Sequence, residues 1–487
     1  MTRFSVRRGI AWSISGSIIS LLCQFAALPV LVVHLGAHGT GIIALAWLVT
    51  ALTGILELGL APALSAELSR RTAVAGAARP GLSLLRAFEL PCWATAAVVA
   101  LGLAYAGPLV AESWIPEGAG DVELARCMRL MGIGAGLSLV INLYVSSLLG
   151  LGRQAAANAV RVIASVGQHV VGVTAVVVTG GGAEVWLIAA AIGSLAAASI
   201  GRILIVRHHV VDAGIDWSSL MAAGVFIRGM GLIGLLSVAL GCLDRVLISP
   251  RLPLRDFAAY TLAVMAGSGF RLISAALFGV IFPRLTALAA NGDESAQSRL
   301  YLRSSRWLAS IFAPAVAVVV IAGESVLIWW CRDADLGHRA AIVVGLLAAG
   351  SAINGLLSIP CALQLAHRRT SLTVGSAIAA LAGMTVIIVY LAPEWGSAGV
   401  AVAWPVVHIA VVACVVPLTH RRILRGLSES WFVAVGVPII ATALTATACA
   451  SLPLLRTSIA GGVATGAICM LAAFLAALWD ERRTSSG

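Results

Sequence analysis

The chain has 487 residues, of which 60% are apolar and 11% are charged, and its mean hydropathy is +1.00. Soluble domains carry about 25% charged residues, so this composition excludes a soluble globular protein. The net charge of +11 comes from Arg, because all 32 basic residues are Arg. These residues cluster in short polar gaps between apolar stretches, a distribution that argues against nucleic-acid binding and is typical of membrane topology signals.

Apolar stretches of about 18 or more residues, long enough to cross a bilayer as helices, recur along the whole chain. The sequence therefore predicts an all-α polytopic membrane protein with about fourteen transmembrane helices. The first stretch lacks a clear cleavage site, so no cleavable signal peptide is expected. The predicted spans are 10–33, 40–64, 87–110, 127–149, 159–179, 184–205, 221–248, 257–282, 307–330, 341–364, 372–392, 397–417, 431–451 and 458–479.

The polar gaps alternate along the chain between Arg-rich and Arg-poor, and the amino terminus is on the Arg-rich side. By the positive-inside rule this asymmetry predicts that both termini are cytoplasmic. The nine Cys are scattered. The sequence has no Cys-x-x-Cys motif and no His/Cys spacing typical of a metal site, so neither a metal nor another cofactor is expected. The Asp-x-Asp of CRDADLGH (331–338) falls in an outer loop and is discounted as a metal site.

Three pairs of segments indicate an internal repeat with a period of six helices, so both copies have the same orientation. Such parallel repeats place a substrate site between two lobes. The prediction is a six-helix lobe at 1–210, a second at 211–425, and two extra helices with a short cytoplasmic tail at 426–487. The simpler alternative is that any two membrane helices look alike. The pairs are 149–165 with 363–379, 35–46 with 252–263, and 183–191 with 396–404.

An ionisable side chain at the bilayer centre costs about 2.5–3.5 kcal/mol, so such residues are expected to face a cavity or a partner. The deepest are Glu57 and Arg271, which the repeat places on equivalent helices. If the lobes enclose a central cavity, Arg271 would attract an anion there and Glu57 would balance or gate it. Alternatively, each anchors its helix locally. Arg228 and Arg161, near the inner ends of their spans, either line the cavity or reach the membrane surface.

The segment LGCLDRVLISP (240–250) carries adjacent opposite charges, Asp244 and Arg245, near the outer end of the seventh span. Neighbouring positions on a helix point about 100° apart, so each is expected to have its own partner. We interpret the pair as a structural latch or an outer gate. Other polar side chains within spans are expected to bond between helices, and they are Asn142, Gln168, His169, Asn354 and His408.

Several segments, in their order and spacing, resemble the Wzx-type polysaccharide transporters, which are oligosaccharide flippases of the multidrug/oligosaccharidyl-lipid/polysaccharide exporter superfamily. Ala258 and Ala366 stand where that family usually has Gly. The Arg- and Asp-rich motifs that the lipid II flippase branch carries in its first two spans are missing, which argues against that branch. The segments are LPVLVVHLGAHGTGIIALAWLV with LELGLAPALS (28–65), SSLLGLGRQAAANAVRVI (146–163), LDRVLISPRLPLRDFAAYTLA (243–263), FPRLTALAANGDESAQSRLYLRSSRW (282–307), CALQLAHRRTSLTV (361–374) and 395–404.

The resemblance implies a non-enzymatic, two-lobed flippase that works by alternating access in the bacterial cytoplasmic membrane. Its substrate would be an undecaprenyl-pyrophosphate-linked oligosaccharide, and a polysaccharide polymerase and glycosyltransferases would be its partners. Three alternatives stay open, one of them a structural or scaffolding membrane protein. A cation-coupled multidrug exporter of the same fold would show paired carboxylates deep in one lobe, and an envelope polymerase or acyltransferase would show a long outer loop with reactive side chains.

Overall fold

The computed structural model describes residues 3–57, 59–74, 82–115, 120–207, 214–222, 224–367, 369–451 and 459–485. Within these ranges the chain is built of helices joined by short connections. One π-helical segment, Val166–Val171, joins α5 to α6. The helices are α1 (Arg3–Leu56), α2 (Leu60–Val74), α3 (Leu82–Trp114), α4 (Val122–Gly150), α5 (Gln154–Ser165), α6 (Gly172–Thr179), α7 (Ala183–Val206), α8 (Trp217–Ala222), α9 (Gly224–Ile248), α10 (Leu254–Ala290), α11 (Glu294–Cys331), α12 (Ala334–Leu356), α13 (Ser358–Ala366), α14 (Thr370–Arg422), α15 (Ser428–Ala450) and α16 (Ile459–Ser485).

Two of the longest helices each contain two of the predicted spans. α1 bends at Gly36 (φ 65°) and α14 at Gly396 (φ 54°), between the spans that the sequence predicts on either side. Only glycine adopts such a backbone at low cost, so each bend depends on that residue. In the described ranges, eleven helical stretches are long and apolar enough to cross a membrane. In the described ranges the fourteen predicted spans fall on helical segments, some of which are interrupted within a span, and the predicted all-α membrane fold is confirmed.

The chain divides into two compact units, Met1–Ala258 and Ala259–Gly487. In the first unit α4 is central and packs against α3, α7, α2 and α1. Its glycines permit this contact, since a Cβ on Gly136 would lie 2.6 Å from the carbonyl oxygen of Ala96 on α3. Phe88 and Tyr144 are fully buried where these helices meet. This core holds the walls of the cavity described below.

In the second unit α11 is central and packs against α12, α15 and α16. Phe312 and Trp431 are buried in this core, and Phe312 stacks edge-to-face on Phe270 of α10 at a centroid distance of 5.2 Å. The last two helices, which lie beyond the sequence repeat, are therefore part of the second unit.

Helix starts recur along the chain at a nearly constant offset. α3 and α11 begin at Leu82 and Glu294, and α4 and α12 begin at Val122 and Ala334, 212 residues apart in both pairs. This offset is close to that of the sequence repeat. The recurrence agrees with two pseudo-symmetric six-helix halves, while the exact division at residues 210 and 425 stays a prediction.

Candidate functional site

A cavity of about 140 Å³ lies within the first unit, between the second half of α1, α4, α7 and the stretch from α5 into the π-helical segment. Its lining is mainly apolar and includes several hydroxyl and amide side chains. None of its described lining residues is acidic or basic; we call it the N-terminal cavity. It is lined by Ala46, Thr50, Leu130, Met131, Gly134, Ser138, Ile141, Asn142, Ala164, Gln168, Trp186, Leu187, Ala190 and Ser194.

The π-helical segment interrupts the fifth predicted span and contributes Gln168 to the cavity wall. Such wide turns inside α-helices are frequent at functional sites. Beside Gln168, a Cβ on Gly167 would lie 2.6 Å from the Cα of Gly193 on α7. The two backbones therefore meet directly, and this contact fixes the distance between two walls of the cavity.

An aromatic cluster adjoins the cavity. Trp47 meets His169 and Trp186 edge-to-face at centroid distances of 6.0 and 6.2 Å. The buried Nε1 of Trp47 and Nδ1 of His169 have no hydrogen-bond partner among the described residues. Buried polar atoms are normally paired, so these two atoms are available to water or to a bound molecule.

The sequence predicted that Asn142, Gln168 and His169 bond between helices. Among the described residues none of the three makes a side-chain hydrogen bond, and Asn142 and Gln168 line the N-terminal cavity instead. Amides on a cavity wall can donate and accept hydrogen bonds at once, which suits a ligand rich in hydroxyl groups.

Arg161 lies on α5, one turn before the lining residue Ala164 and hence on the same helix face. Its side chain is exposed, and it makes no hydrogen bond or ion pair within the part of the chain that the structure describes. Its guanidinium has five hydrogen-bond donors and no partner among the described residues. It can therefore bind a ligand one turn from the cavity lining.

Glu57 lies where the second predicted span is interrupted. α1 ends at Leu56 and α2 begins at Leu60, with Gly59 at φ 80° between them. The Glu57 side chain is half-buried and lines a narrow cleft of about 10 Å³ in the first unit. Its neighbours there are mostly apolar, namely Leu56, Leu60, Ala61, Cys92, Thr95, Leu139 and Leu143.

Arg271 is exposed on α10 in the second unit. The position that the repeat pairs with Glu57 is Ser274, which is buried in a continuous helix and donates to the Phe270 carbonyl at 2.9 Å. The helix break at Glu57 is thus not repeated there. The placement of Arg271 and Glu57 on one central cavity stays a prediction, and the side chain of Arg228, on α9, lies outside the described part of the chain.

Asp244 and Arg245 form a local arrangement near the end of α9. Asp244 is buried, and its carboxylate accepts from the backbone N–H of Arg245 at 2.8 Å. Arg245 donates from Nη2 to the carbonyl of Gly241 at 2.7 Å, while its Nε lies 4.0 Å from the Asp244 carboxylate. These contacts tie the end of α9 together, and a gating role stays a prediction.

One buried charge in the first unit escaped the sequence reasoning. Glu89 on α3 accepts from the Tyr144 hydroxyl at 2.8 Å and from Nε of Arg202 at 3.0 Å. The carboxylate joins α3, α4 and α7. Glu89 and Arg202 carry opposite charges and lie at the ends of the third and sixth predicted spans that the topology prediction places on the same side of the membrane. This was the signal in the sequence for the pair.

A second missed contact lies in the second unit. Arg306 on α11 and Asp480 on α16 form an ion pair with Nη2 and Oδ2 2.5 Å apart, and both side chains are buried. Arg306 lies inside α11, which begins at Glu294.

The discounted Asp-x-Asp motif has structural roles. Asp333 caps α12 by accepting from the Leu336 N–H at 3.0 Å, and Asp335 pairs with Arg339 at 2.9 Å. In the described ranges, no group of three or more His, Cys, Asp or Glu side chains is arranged to hold a metal ion.

Compared by sequence, the chain matches no protein-family model and no curated protein. Its fold, however, matches several solved transporters. The lipid II flippase MurJ in an inward closed conformation aligns with a TM-score of 0.69 and 12% identity, over 98% of this chain and 99% of that one. An inward-facing multidrug resistance MATE transporter of the MOP superfamily aligns at 0.66 and 14%, over 83% and 94%. A MOP-superfamily transporter from Pyrococcus furiosus aligns at 0.60 and 13%, over 87% and 96%.

At these identities the likeness concerns the fold alone. The chain has the fold of a MOP-superfamily transporter and is a multi-pass membrane protein. The fold that the sequence resemblance predicted is thereby confirmed.

Proposed function

We propose that this protein is a flippase that moves an undecaprenyl-pyrophosphate-linked oligosaccharide from the inner to the outer leaflet of the bacterial cytoplasmic membrane. The observation that carries the proposal is the N-terminal cavity, whose described lining is uncharged and includes hydroxyl and amide groups, together with Arg161, which lies one turn from that lining and has no partner among the described residues. Hydroxyl and amide side chains match sugar hydroxyls, and a guanidinium matches phosphate oxygens bidentately.

The residues that line the cavity also favour this proposal over drug export. A cationic drug favours a carboxylate, and none of the described residues that line the N-terminal cavity is acidic. Glu57 lines a different cleft, and Glu89 is already paired with Arg202. The solved P. furiosus transporter is described as having a binding pocket of reversed polarity, which is consistent with pocket polarity varying on this fold.

The remaining predictions belong to this proposal. Both termini are cytoplasmic, and Arg271 of the second lobe attracts the pyrophosphate in a central cavity during alternating access. Lobes at 1–210 and 211–425 move relative to each other, and residues 426–487 add two helices and a short cytoplasmic tail. A polysaccharide polymerase and glycosyltransferases act before and after transport.

The experiment is complementation in a strain from which this gene is deleted, with surface polysaccharide as the readout. A hydrogen bond to a charged group contributes about 1.5–3 kcal/mol, so Arg161→Ala is expected to lower glycan display by about 10–100-fold. Arg161→Lys should retain part of the activity, because it keeps the charge without the bidentate geometry.

The matched control is Arg299→Ala, which removes an exposed arginine in the first turns of α11. It is expected to display glycan at the wild-type level. Wild-type display with Arg161→Ala, at a normal amount of protein in the membrane, would contradict the role of Arg161. Normal display in the deletion strain itself would contradict the proposed function.

A further inference from the structure

Three of the polar side chains that line the N-terminal cavity have no partner within the described ranges. Asn142 of α4, Gln168 of the π-helical segment and Ser194 of α7 make no side-chain hydrogen bond with any residue that the structure describes. They come from three different walls of the cavity and are exposed or half-buried, so a ligand can reach them. Each of these side chains can both donate and accept a hydrogen bond.

Two further hydroxyl groups in the wall are left as acceptors. The Thr50 hydroxyl donates its proton to the Ala46 carbonyl at 2.8 Å, and the Ser138 hydroxyl donates to the Ala135 carbonyl at 2.7 Å. Their oxygens keep lone pairs for a donor. The cavity therefore offers donors as well as acceptors, and a hydroxyl group, which acts as both, is the ligand group that matches it.

The size and charge of the cavity limit its occupant. The cavity is about 140 Å³, and none of the described residues that line it is charged. Pockets for drug-sized ligands are about 300–1,000 Å³, so this cavity suits one sugar ring and not an entire oligosaccharide. An ionised group that is buried in a mainly apolar wall without an opposite charge is unfavourable. The lining therefore favours a small, uncharged group with several hydroxyls.

The sequence repeat indicates that these polar side chains are not a requirement of the fold. When the repeat pairs are extended, and α4 and α12 are aligned from their starts, most of the polar lining positions correspond to apolar residues in the second half. Side chains that served helix packing alone would not need to be polar in one half and apolar in the other. Thr50, Ser138, Asn142, Gln168 and Ser194 correspond to Gly267, Gly350, Asn354, Ala382 and Val407.

We propose that the N-terminal cavity is a subsite for a single uncharged sugar ring of the transported glycan, and that Asn142, Gln168 and Ser194 determine this preference; the assignment rests on the proposed function. The two amides and the serine hydroxyl bind hydroxyl groups of the ring from three sides. Acidic and amino sugars are disfavoured, because no described lining residue carries the opposite charge.

The backbone holds two of these side chains at a fixed separation. A Cβ on Gly167 would lie 2.6 Å from the Cα of Gly193, so the π-helical segment and α7 touch at these glycines. Gln168 and Ser194 are the next residues on the two segments. A site that is already formed binds its ligand with a smaller loss of conformational entropy.

The apolar part of the wall suits the carbon skeleton of a sugar. Met131, Ile141 and Trp186 line the cavity, and a pyranose ring carries C–H groups between its hydroxyl groups. Burial of these C–H groups against apolar side chains adds to the affinity. Trp186 also serves as a reporter, because the fluorescence of an indole changes when a ligand enters its surroundings.

The test is binding of free sugars to the purified full-length protein in lipid nanodiscs, measured by tryptophan fluorescence. The uncharged probes are the methyl glycosides of glucose, galactose, mannose and N-acetylglucosamine. The charged probe is methyl glucuronide, which carries a carboxylate on the same ring. At least one uncharged probe is expected to bind, and methyl glucuronide is expected to bind at least about tenfold more weakly than the tightest of them.

Variants of the lining test the assignment of residues. Asn142→Ala and Gln168→Ala are each expected to weaken binding of the tightest uncharged probe by about two- to tenfold, the loss of a hydrogen bond between uncharged groups. Asn354→Ala is the matched control, because Asn354 is the corresponding residue of the second half, and it should bind the probe like the wild type. Thermal unfolding of each variant confirms folding.

Three results would overturn the proposal: no uncharged probe binds, methyl glucuronide binds as tightly as the uncharged probes, or both lining variants bind like the wild type. A flipping assay in proteoliposomes separates these results from the proposed function. If uncharged sugars bind with the expected preference but the lipid-linked oligosaccharide is not flipped, the sugar site stands and the flippase function fails. If the oligosaccharide is flipped but charged and uncharged sugars bind equally, the sugar site fails and the flippase function stands.

Discussion

The ion pair between Arg306 and Asp480 gives a prediction whose size follows from the structure. Both side chains are almost fully buried, at 5% and 4% exposure, and the pair joins α11 to α16. Asp480 provides the hydrogen bond of the Arg306 guanidinium, whose Nε has no partner among the described residues. Asp480→Ala would therefore leave a buried, unpaired cation.

Removing one partner of a buried ion pair costs about 3–5 kcal/mol. Arg306 lies near the end of a predicted span, from which it can turn toward the membrane surface. We therefore expect Asp480→Ala to lower the free energy of unfolding by about 3 kcal/mol, the lower end of this range. For a folding unit of this size, that change lowers Tm by roughly 6–12 °C. The assay is thermal unfolding of the purified protein in nanodiscs, followed by tryptophan fluorescence.

Two further variants separate the buried charge from general damage. Arg306→Leu combined with Asp480→Leu removes both charges and should recover most of the lost stability. Arg303→Ala removes the neighbouring, more exposed pair with Glu481 and should cost less than about 1 kcal/mol. If Asp480→Ala unfolds at the same temperature as Arg303→Ala, the reasoning is refuted.

Two other predictions concern the first unit. Hydrogen bonds from the Ser218 hydroxyl and the Arg71 guanidinium lower the pKa of Asp216 in the folded protein. Its contribution to stability is therefore complete above the unfolded pKa of about 3.9 and declines at lower pH. The Tm difference between wild type and Asp216→Asn should shrink from pH 7 to pH 3, and a constant difference would disprove this assignment. Gly167→Leu should lower stability by at least about 1–3 kcal/mol in the same thermal assay, because its Cβ would collide with the α7 backbone. Gly436→Ala, which has open space around it, should not be destabilising, and equal losses in both variants would contradict this.

The spans could be predicted because apolar length alone determines which segments cross a bilayer. The bends at Gly36 and Gly396 were also within reach, since each falls in a short gap between two apolar runs. The break at Glu57 could not be predicted, because an isolated glycine such as Gly59 is usually tolerated inside a membrane helix. Only the charge of Glu57 marked that position as unusual.

The site was predicted less completely than the fold. Arg161 was recognised as an ionisable residue in a span, but the N-terminal cavity one turn away from it depends on the packing of four helical segments. The pairing of Arg306 with Asp480 joins residues 174 positions apart, and a single sequence carries no signal for such a contact. Several helices are longer than the predicted spans, because polar turns can continue a helix where the hydropathy falls.

The most direct test of the account is a flipping assay in proteoliposomes. The purified protein is reconstituted with an undecaprenyl-pyrophosphate-linked oligosaccharide that carries a fluorescent label on its sugar, and the label is quenched from outside. The account predicts that wild-type protein makes the inner-leaflet label accessible much faster than protein-free liposomes do, and that Arg161→Ala slows this about tenfold or more. Equal rates with and without the protein would contradict it.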